Sequence, residues 1–338
     1  MFKVKIKQIS IVLLSSVFAL ISFEFFLNFS PFVSNTSPVR YDEKVGMWHK
    51  ENYVGYIQDE CYKTKYIFDH QGLQKNVYNY DKTKKDVILL GASMIEALMV
   101  KNKNIIHNSL AREFNRKYNF MNYALAGSGP TQQYVILKDK VNLENVKYVI
   151  HFIEIEGDLL DVVSANLSPL ARPKVFVEFS SLNDYRIVPP RDKTIVDTIG
   201  DFLGNYQLYN YLKKVIYHIK DSHVIKNNKP IKKTDNNNHT DDLSTNWLFI
   251  KGAIHQINNL LKLADKNIEY RIILTSNNNK NVTDMEKFLK FENIKYMHLN
   301  NIFKNNGMDL RGFKCDTHWN DETHKNIAKL INISSFIN

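Results

Sequence analysis

The sequence predicts an α/β protein in which helices cover both faces of a parallel sheet. Five short apolar runs, rich in β-branched and aromatic residues, alternate with longer segments that have a helical spacing of apolar residues. This alternation is typical of parallel sheets. The run Val87 to Leu90 contains no polar residue, as expected of a strand that is buried on both faces.

The predicted elements follow one another in an orderly way. The strands are Asp86 to Leu90, Phe120 to Tyr123, Tyr148 to Ile153, Tyr270 to Thr275 and Tyr296 to Leu299. The helices between and after them include Ile106 to Tyr118, Thr131 to Lys140, Trp247 to Ala264, and a final amphipathic helix through Ile327, Leu330 and Ile331. With 338 residues, 44% of them hydrophobic, the chain suits one large domain. We expect this domain to span residues 85–338, after a lead-in segment at 31–84.

An insert at about residues 164–244 interrupts this rhythm. Prolines break it early, Phe202 to Ile219 predicts an amphipathic aromatic helix, and Lys226 to Ser244 is a polar tract for which mobility is expected. An insert at this point would overhang the end of the third strand and shape a substrate groove. A plain surface loop is an equal alternative.

The N-terminus predicts a membrane anchor within residues 1–30. Lys3, Lys5 and Lys7 precede an apolar stretch from Ile9 to Leu27, in which Glu24 is the one charged residue. That stretch is long enough to cross a bilayer core of about 30 Å. A basic flank stays inside, so the rest of the chain should be extracytoplasmic. A cleaved signal peptide is the alternative, but no small-x-small cleavage site follows.

Charge and cysteines add weaker constraints. The net charge of +10 could favour anionic envelope polymers or phospholipid head groups, but a composition rich in lysine produces it without any partner. No nucleic-acid-binding motif accompanies the charge, so that class is set aside. Cys61 and Cys315 permit one disulfide, while two free thiols fit the spacing equally well.

Two distant segments carry the residues of a serine nucleophile system. Ser93 follows the first predicted strand, at the strand end where open α/β sheets place ligands. Asp316 and His318 lie two residues apart near the C-terminus, before the final helix. A serine hydroxyl needs an imidazole to take its proton, and the imidazole needs a carboxylate to fix its tautomer. The three residues can supply these roles, and at the start of the final helix Asp316 could both cap the helix and reach the ring.

Four blocks in a fixed order resemble the SGNH (GDSL-like) hydrolases, particularly their membrane-anchored bacterial members. These blocks are Ile88 to Ser93, Asn122 to Gln133, Tyr148 to Asp158, and Asp316 to Asn320. The resemblance runs from about Tyr66 to the end, apart from the insert. It implies a three-layer α/β/α, flavodoxin-like fold with catalytic Ser93, His318 and Asp316. The backbone N–H groups of Ser93 and Gly127 would then hold the oxyanion.

The sequence departs from the family pattern at two positions. Ala92 stands where the family has the aspartate of Gly-Asp-Ser, and Gly157 stands where an asparagine usually donates to the oxyanion. Loss of one such donor can cost a serine hydrolase on the order of a hundred- to a thousandfold in rate. Ser128 or Gln132 could supply a replacement donor.

Other titratable residues have simpler explanations. His151 lies inside an apolar strand and is expected to be a core residue, while His324 is expected to face solvent on the final helix. Asp158 and Asp161 fit the start of a helix better than a metal pair, because no histidine or cysteine stands at ligand spacing.

The sequence therefore predicts an extracytoplasmic, membrane-tethered serine esterase or O-acyltransferase. Its substrate would be an acyl ester, most plausibly an O-acetyl group on an envelope carbohydrate, and no metal or organic cofactor is required. The alternative is a catalytically silent binding or assembly factor, which the departures at Ala92 and Gly157 favour.

Overall fold

The computed structural model describes the chain in six stretches, which are residues 2–29, 37–161, 173–213, 215–216, 239–276 and 278–337. The strands are β1 (Val39–Asp42), β2 (Gly46–His49), β3 (Val54–Asp59), β4 (Tyr62–Ile67), β5 (Asp86–Leu90), β6 (Asn119–Asn122), β7 (Val146–Glu154), β8 (Phe176–Phe179), β9 (Tyr185–Val188), β10 (Glu269–Thr275) and β11 (Lys295–His298). The α-helices are α1 (Phe2–Phe29), α2 (Ser93–Glu96), α3 (Ile106–Glu113), α4 (Pro130–Lys140), α5 (Ile155–Asp161), α6 (Ile195–Leu203), α7 (207–213), α8 (His239–Ala264), α9 (Asn279–Phe291), α10 (Leu299–Asn305) and α11 (Asp321–Ile333).

A five-stranded sheet, in the order β11-β10-β7-β5-β6, forms the centre of the fold. Every neighbouring pair in it is parallel. Numbered along the chain, the five strands have the order 2-1-3-4-5, which is the flavodoxin-like arrangement. The predicted fold class is confirmed, and each of the five predicted strands lies within two residues of its observed position at either end.

Side chains on the two faces of the sheet enter two separate hydrophobic clusters. Ile88 and Leu90 of β5 pack in one cluster with α4, α8 and α9, whereas Val87 and Leu89 pack in the other with α3, α10 and α11. Successive residues of a strand point to opposite faces, so the unbroken apolar run reflects burial on both sides. The sheet is the middle of three layers.

The lead-in segment contributes two antiparallel hairpins, β1–β2 and β3–β4. The second hairpin turns at Glu60 and Cys61, next to the loop that precedes α11, as described below. The predicted domain boundaries stay a prediction.

The apolar N-terminal segment forms one helix, α1, and its Ser10–Leu27 window is long and apolar enough to cross a membrane. Helices of this kind include signal sequences as well as anchors, so both alternatives remain.

The insert differs from its prediction where it is described. Phe202 to Ile219 was predicted as one helix, but α6 ends at Leu203 and α7 begins at residue 207, with a turn between them. The stretch 204–206 contains Gly204 and Asn205, residues that favour turns. Of the predicted polar tract Lys226 to Ser244, residues 226–238 lie outside the described part, and α8 begins at His239.

Candidate active site

Ser93 lies directly beyond the carboxyl end of β5, where the chain turns into the short helix α2. The turn needs Gly91, because a Cβ there would lie 2.7 Å from Cγ1 of Ile95. Strand order reverses between β5 and β7, and ligands of open α/β sheets bind at such a switch point. The serine is only partly buried, so its hydroxyl remains accessible at this edge.

His318 and Asp316 lie on the loop between α10 and α11 and reach Ser93 across the end of the sheet. The Nε2 of His318 is 2.9 Å from Oγ of Ser93, and its Nδ1 is 2.6 Å from Oδ1 of Asp316. Asp316 Oδ1 also accepts the backbone N–H of His318 at 3.1 Å. The structure thus brings the three predicted side chains into one hydrogen-bonded series.

The loop is held by its own backbone and by Asn320. The N–H of Phe313 donates to the carbonyl of His318 at 3.0 Å, and Asn320 Nδ2 donates to the carbonyl of Gly312 at 3.0 Å. The expectation that Asp316 caps the final helix is wrong. Asn320 is the N-cap, and its side chain accepts the N–H groups of Glu322 and Thr323. This leaves the aspartate free to bind the imidazole.

The surroundings of Asp316 favour its ionised form. Partial burial alone would raise its pKa, but the hydrogen bonds from the His318 ring and backbone, and a further one from Tyr62, hold the pKa of this carboxyl below its ordinary value. An ionised carboxylate keeps a proton on Nδ1 of the imidazole, so that Nε2 can accept the proton of Ser93.

Tyr62 is a partner of the site that the sequence analysis missed. Its hydroxyl donates to Oδ2 of Asp316 at 3.3 Å, and its ring packs 5.0 Å from that of Phe313. Burial and the nearby Asp316 charge raise the pKa of Tyr62 to about 12, so the phenol stays a donor in neutral solution. No sequence spacing links residues so far apart.

A disulfide joins Cys61 to Cys315, beside both of these residues. Of the two possibilities left open by the spacing, the structure contains the bond. It ties the turn of the β3–β4 hairpin to the residue before Asp316, and the Cys315 N–H lies 3.2 Å from Sγ of Cys61. The hairpin and the disulfide together fix the loop that presents Asp316.

Removal of this bond is expected to reduce both stability and activity. The bridge closes a separation of 254 residues, and loss of a native disulfide typically costs about 2–5 kcal/mol. A displacement of about 1 Å at Asp316 can cost about a hundredfold in rate, so a fall in kcat/KM of roughly ten- to a hundredfold is expected for Cys61→Ser/Cys315→Ser. Thermal unfolding and acetyl-ester turnover measure the two effects.

The same double variant supplies the control for chemical reduction. Because the chain has two cysteines, reductant should impair the wild type and leave Cys61→Ser/Cys315→Ser unchanged. Equal turnover of the wild type before and after verified reduction would contradict a positioning role for the bridge.

The two predicted oxyanion donors lie on neighbouring loops. Ser93 opens α2, and Gly127 lies in a turn after β6 with φ +72°, a conformation that favours glycine. Among the described residues, neither amide donates a hydrogen bond. The Leu125 N–H donates to the carbonyl of Gly91 at 3.1 Å, which joins the two loops.

A buried network supports the Gly127 turn from behind. His151 pairs with the Tyr270 hydroxyl at 2.6 Å and with the side-chain oxygen of Gln133, whose Nε2 donates to the Ser128 carbonyl at 2.8 Å. Burial lowers the pKa of His151 to about 3, so this ring is neutral. The prediction that His151 is a satisfied core residue is confirmed.

The two replacement oxyanion donors suggested by the sequence differ in whether their donor groups are already hydrogen-bonded. Ser128 Oγ donates to the Leu125 carbonyl at 2.7 Å and is already engaged. Gln132 accepts the Gly129 N–H through Oε1, and its buried Nε2 has no partner among the described residues. Gln132 therefore retains a donor near the turn that carries Gly127.

Gly157 lies in α5, and the group beside it is acidic. A Cβ on this glycine would lie 3.1 Å from Oε2 of Glu154, the last residue of β7. Burial and the charge of Glu156 raise the pKa of Glu154, while the charge of His318 lowers it. A carboxylate is thus adjacent to the position at which the family resemblance implies an amide donor.

The other histidine expectation is wrong. His324 was expected to face solvent, but it is fully buried, with its ring 6.0 Å from that of Trp319. It belongs to the inward stripe of α11 with Ile327, Ala328 and Ile331, at the helical spacing of three, four and seven residues. Burial lowers the pKa of His324 to about 3, which leaves it uncharged in the core. Asp158 and Asp161 lie in α5, as expected of helix carboxylates.

No protein-family model and no curated protein sequence matches the chain. Several solved structures are similar to it. A proposed GDSL-like lipase from Bacteroides ovatus has 12% identity and a TM-score of 0.39, over 74% of this chain and 97% of that one. An acetyl xylan esterase from the rumen bacterium Butyrivibrio proteoclasticus has 13% identity and a TM-score of 0.38, over 85% and 71%. A carbohydrate esterase has 10% identity and a TM-score of 0.39, over 89% and 86%.

With TM-scores this low, the similarities to these solved structures carry no argument about catalytic chemistry. The catalytic chemistry is inferred from the geometry of the chain itself. The parallel sheet of order 2-1-3-4-5, with Ser93 at its switch point, has the flavodoxin-like arrangement that the sequence resemblance to the SGNH (GDSL-like) hydrolases implies.

Proposed function

We propose that the protein is a membrane-anchored serine esterase or O-acyltransferase, in which Ser93 is the nucleophile, His318 the base and Asp316 the residue that orients the base. The observation that carries this proposal is the hydrogen-bonded series from Ser93 Oγ to His318 Nε2 and from His318 Nδ1 to Asp316. A serine hydrogen-bonded to an imidazole that is itself bound by a carboxylate is an activated nucleophile in several unrelated folds.

The reaction proceeds by acyl transfer to Ser93. As Oγ attacks the ester carbonyl, His318 Nε2 takes its proton, and the Ser93 and Gly127 N–H groups stabilise the tetrahedral oxyanion. The intermediate collapses when the imidazolium gives the proton to the leaving alcohol. Water, or an acceptor hydroxyl in a transferase, then attacks the acyl-serine with His318 again acting as base, which releases the acyl group and restores Ser93.

A location on the outer side of a membrane would support an ester of an envelope carbohydrate as substrate. The candidate span in α1 would tether the domain, and the disulfide suits an oxidising compartment outside the cytoplasm. The acyl group that we propose is acetyl. Hydrolysis and transfer use the same residues and differ in the acceptor that enters after acylation.

The second candidate is a non-catalytic binding or assembly factor. The observation that favours it is the carboxylate of Glu154 beside Gly157, because a negative charge near a developing oxyanion opposes its formation.

Labelling with a serine-reactive fluorophosphonate distinguishes the two functions. The wild type should be labelled at Ser93, and Ser128→Ala should be labelled equally, because Ser128 is a buried serine close to the same turns but outside the proton-transfer series. Ser93→Ala should not be labelled. A folded wild-type protein that shows neither labelling nor acetyl-ester turnover would reject the esterase proposal and favour the non-catalytic binding or assembly factor.

Replacing Gly157 by asparagine is expected to increase the acylation rate by about tenfold, less than the hundred- to thousandfold effect of a fully placed donor. A gain is expected because a hydrogen bond to the oxyanion is stronger in the transition state than to the neutral ester. The gain is limited because the nearby Glu154 carboxylate would compete for the amide. The backbone accepts the change, since Gly157 is in a helix and is not among the glycines with positive φ.

Gly157→Ala is the matched control, since it adds the Cβ without a donor. Acylation rate and thermal stability are compared among wild type, Gly157→Ala and Gly157→Asn. A stable Gly157→Asn without a higher acylation rate would contradict the interpretation that Gly157 marks a missing oxyanion donor. Gln132→Glu would then test whether Nε2 of Gln132 supplies that donor instead.

A further inference from the structure

Helix α6 of the insert has two chemically distinct faces. Ile195, Ile199 and Phe202, spaced by four and three residues, share one side of the helix, which Val196 widens. These four side chains are between 50% and 79% exposed. Contiguous apolar surface of this kind marks a place of contact with another molecule or a membrane.

The polar face of α6 is satisfied within the chain. Asp197 binds Arg191 at 2.5 and 2.9 Å and accepts the backbone N–H of Thr194, whose hydroxyl caps the helix. Lys193 and Asp201 form an ion pair at 2.9 Å. Since the cap and the ion pairs define the helix without its apolar face, that face is left to bind something else.

Glu24 links this part of the insert to α1. Its two carboxylate oxygens accept the backbone N–H groups of Gln207 and Leu208 at 2.7 Å each. These are the first residues of α7, and the first N–H groups of a helix have no partner within it. The one charged residue of the apolar window therefore caps a helix N-terminus, a position that favours a negative charge.

A second contact joins the insert to the chain that follows α1. Ser37, the first described residue after α1, donates its N–H to the Gly204 carbonyl at 3.4 Å, and Lys50 Nζ donates to Asn205 at 2.8 Å. The turn between α6 and α7 is thus attached at both the end of α1 and the start of the lead-in segment.

The position of Glu24 gives the depth of this attachment. Glu24 precedes Leu27, the last residue of the apolar window, by three residues, or about 4.5 Å at about 1.5 Å per residue. Amphipathic helices that lie on membranes bury their apolar face about 5–10 Å into the headgroup and acyl boundary. The first turn of α7, and α6 one short turn before it, would therefore lie at interfacial depth when α1 spans a bilayer.

Exposed tyrosine and leucine side chains just before α7 and within it suit the same environment. Tyr206 just before it, and Tyr211 and Leu212 within it, are 38% to 50% exposed. Tyrosine is enriched at membrane interfaces, where its ring lies among acyl chains and its hydroxyl among head groups.

We propose that the apolar face of α6, continued by the start of α7, binds the lipid bilayer surface next to α1, on the side where Leu27 emerges. The proposal rests on α1 being a membrane anchor, which is part of the proposed function. A second contact would stop the domain from turning freely about a single span and would hold it at a fixed orientation close to the membrane.

Site-directed spin labelling of the full chain in lipid vesicles tests this contact. Labels are placed on one protein at a time through Ile199→Cys or Phe202→Cys on the apolar face, Asp201→Cys on the polar face, and Phe18→Cys in the span. The native cysteines remain in their disulfide. Collisions with oxygen, which concentrates in lipid, are compared with collisions with a water-soluble nickel chelate, in vesicles of zwitterionic and anionic phospholipids.

The expected result is that labels at positions 199, 202 and 18 collide mainly with oxygen, whereas the label at 201 collides mainly with the nickel chelate. Nickel access at 199 and 202 equal to that at 201, with position 18 in lipid, would overturn the lipid contact and leave the anchor intact. Protection of 199 and 202 from both reagents would also overturn it, since protein would then cover the face. Nickel access at position 18 would reject the anchor itself and, with it, this contact.

Discussion

Replacing Ser93 by alanine is expected to lower kcat on a small acetyl ester by on the order of 10⁶-fold, the size of the loss when the nucleophilic serine of a serine protease is removed. The loss follows because no other hydroxyl is hydrogen-bonded to His318 among the described residues. The fold should persist, since Ser93 is only partly buried and one net hydrogen bond contributes about 0.5–1.5 kcal/mol. Steady-state kinetics and thermal unfolding of the purified protein measure both quantities.

The double variant Ser93→Ala/His318→Ala shows whether the residues act as one unit. If Ser93 receives its activation from His318, the double variant should be little slower than Ser93→Ala alone. Ser128→Ala is the matched serine control and should keep most of the turnover. Multiplicative losses, or ordinary turnover in folded Ser93→Ala, would refute the assignment of Ser93 as nucleophile.

The sheet was predictable because its signal is local. A strand buried on both faces is mostly apolar, and Val87 to Leu90 shows this directly. Parallel order then brings the carboxyl ends of the strands to one edge, so Ser93 could be placed in a site without knowledge of any contact. Its meeting with His318 needed the family resemblance, because 225 residues separate the two.

Features that depend on tertiary contacts were not predictable. The burial of His324 arises from the packing of α11, although its spacing of three and seven residues from Ile327 and Ile331 is that of the buried face of this helix. Tyr62 and Glu154 approach the site through folding alone, and neither has a local sequence signature. The same is true of Glu24, the one charged residue of the apolar run, which caps a helix more than 180 residues away.

Replacing Asp316 by asparagine is expected to lower kcat by about 10⁴-fold, comparable to the loss when the buried aspartate of a serine protease is changed to asparagine. An amide can donate a hydrogen bond to Nδ1 of His318 and so favour the tautomer that carries its proton on Nε2. That tautomer cannot accept the proton of Ser93. It also leaves the imidazolium formed during attack without its carboxylate partner, which lies 2.6 Å away in the wild type.

Asp321→Asn is the matched control, because its carboxylate accepts from Asn104 at 2.7 Å and from the Lys101 N–H at 3.3 Å, outside the His318 contact. It should leave kcat nearly unchanged. Tyr62→Phe should fall between the two variants, since it removes one donor to Asp316 but leaves the carboxylate in place.

The dependence of stability on pH provides a second readout for Asp316. Its folded-state pKa lies below the ordinary value of 3.8, so its contribution to stability is present above pH 3.8 and is lost as the pH falls through the folded-state pKa. The difference in Tm between wild type and Asp316→Asn should therefore narrow below pH 3.8. Asp321→Asn keeps the Asp316–His318 pair and serves as the reference. A full loss of kcat together with a pH-independent Tm difference would mean that the variant disturbs the loop at Cys315 and not the charge beside His318.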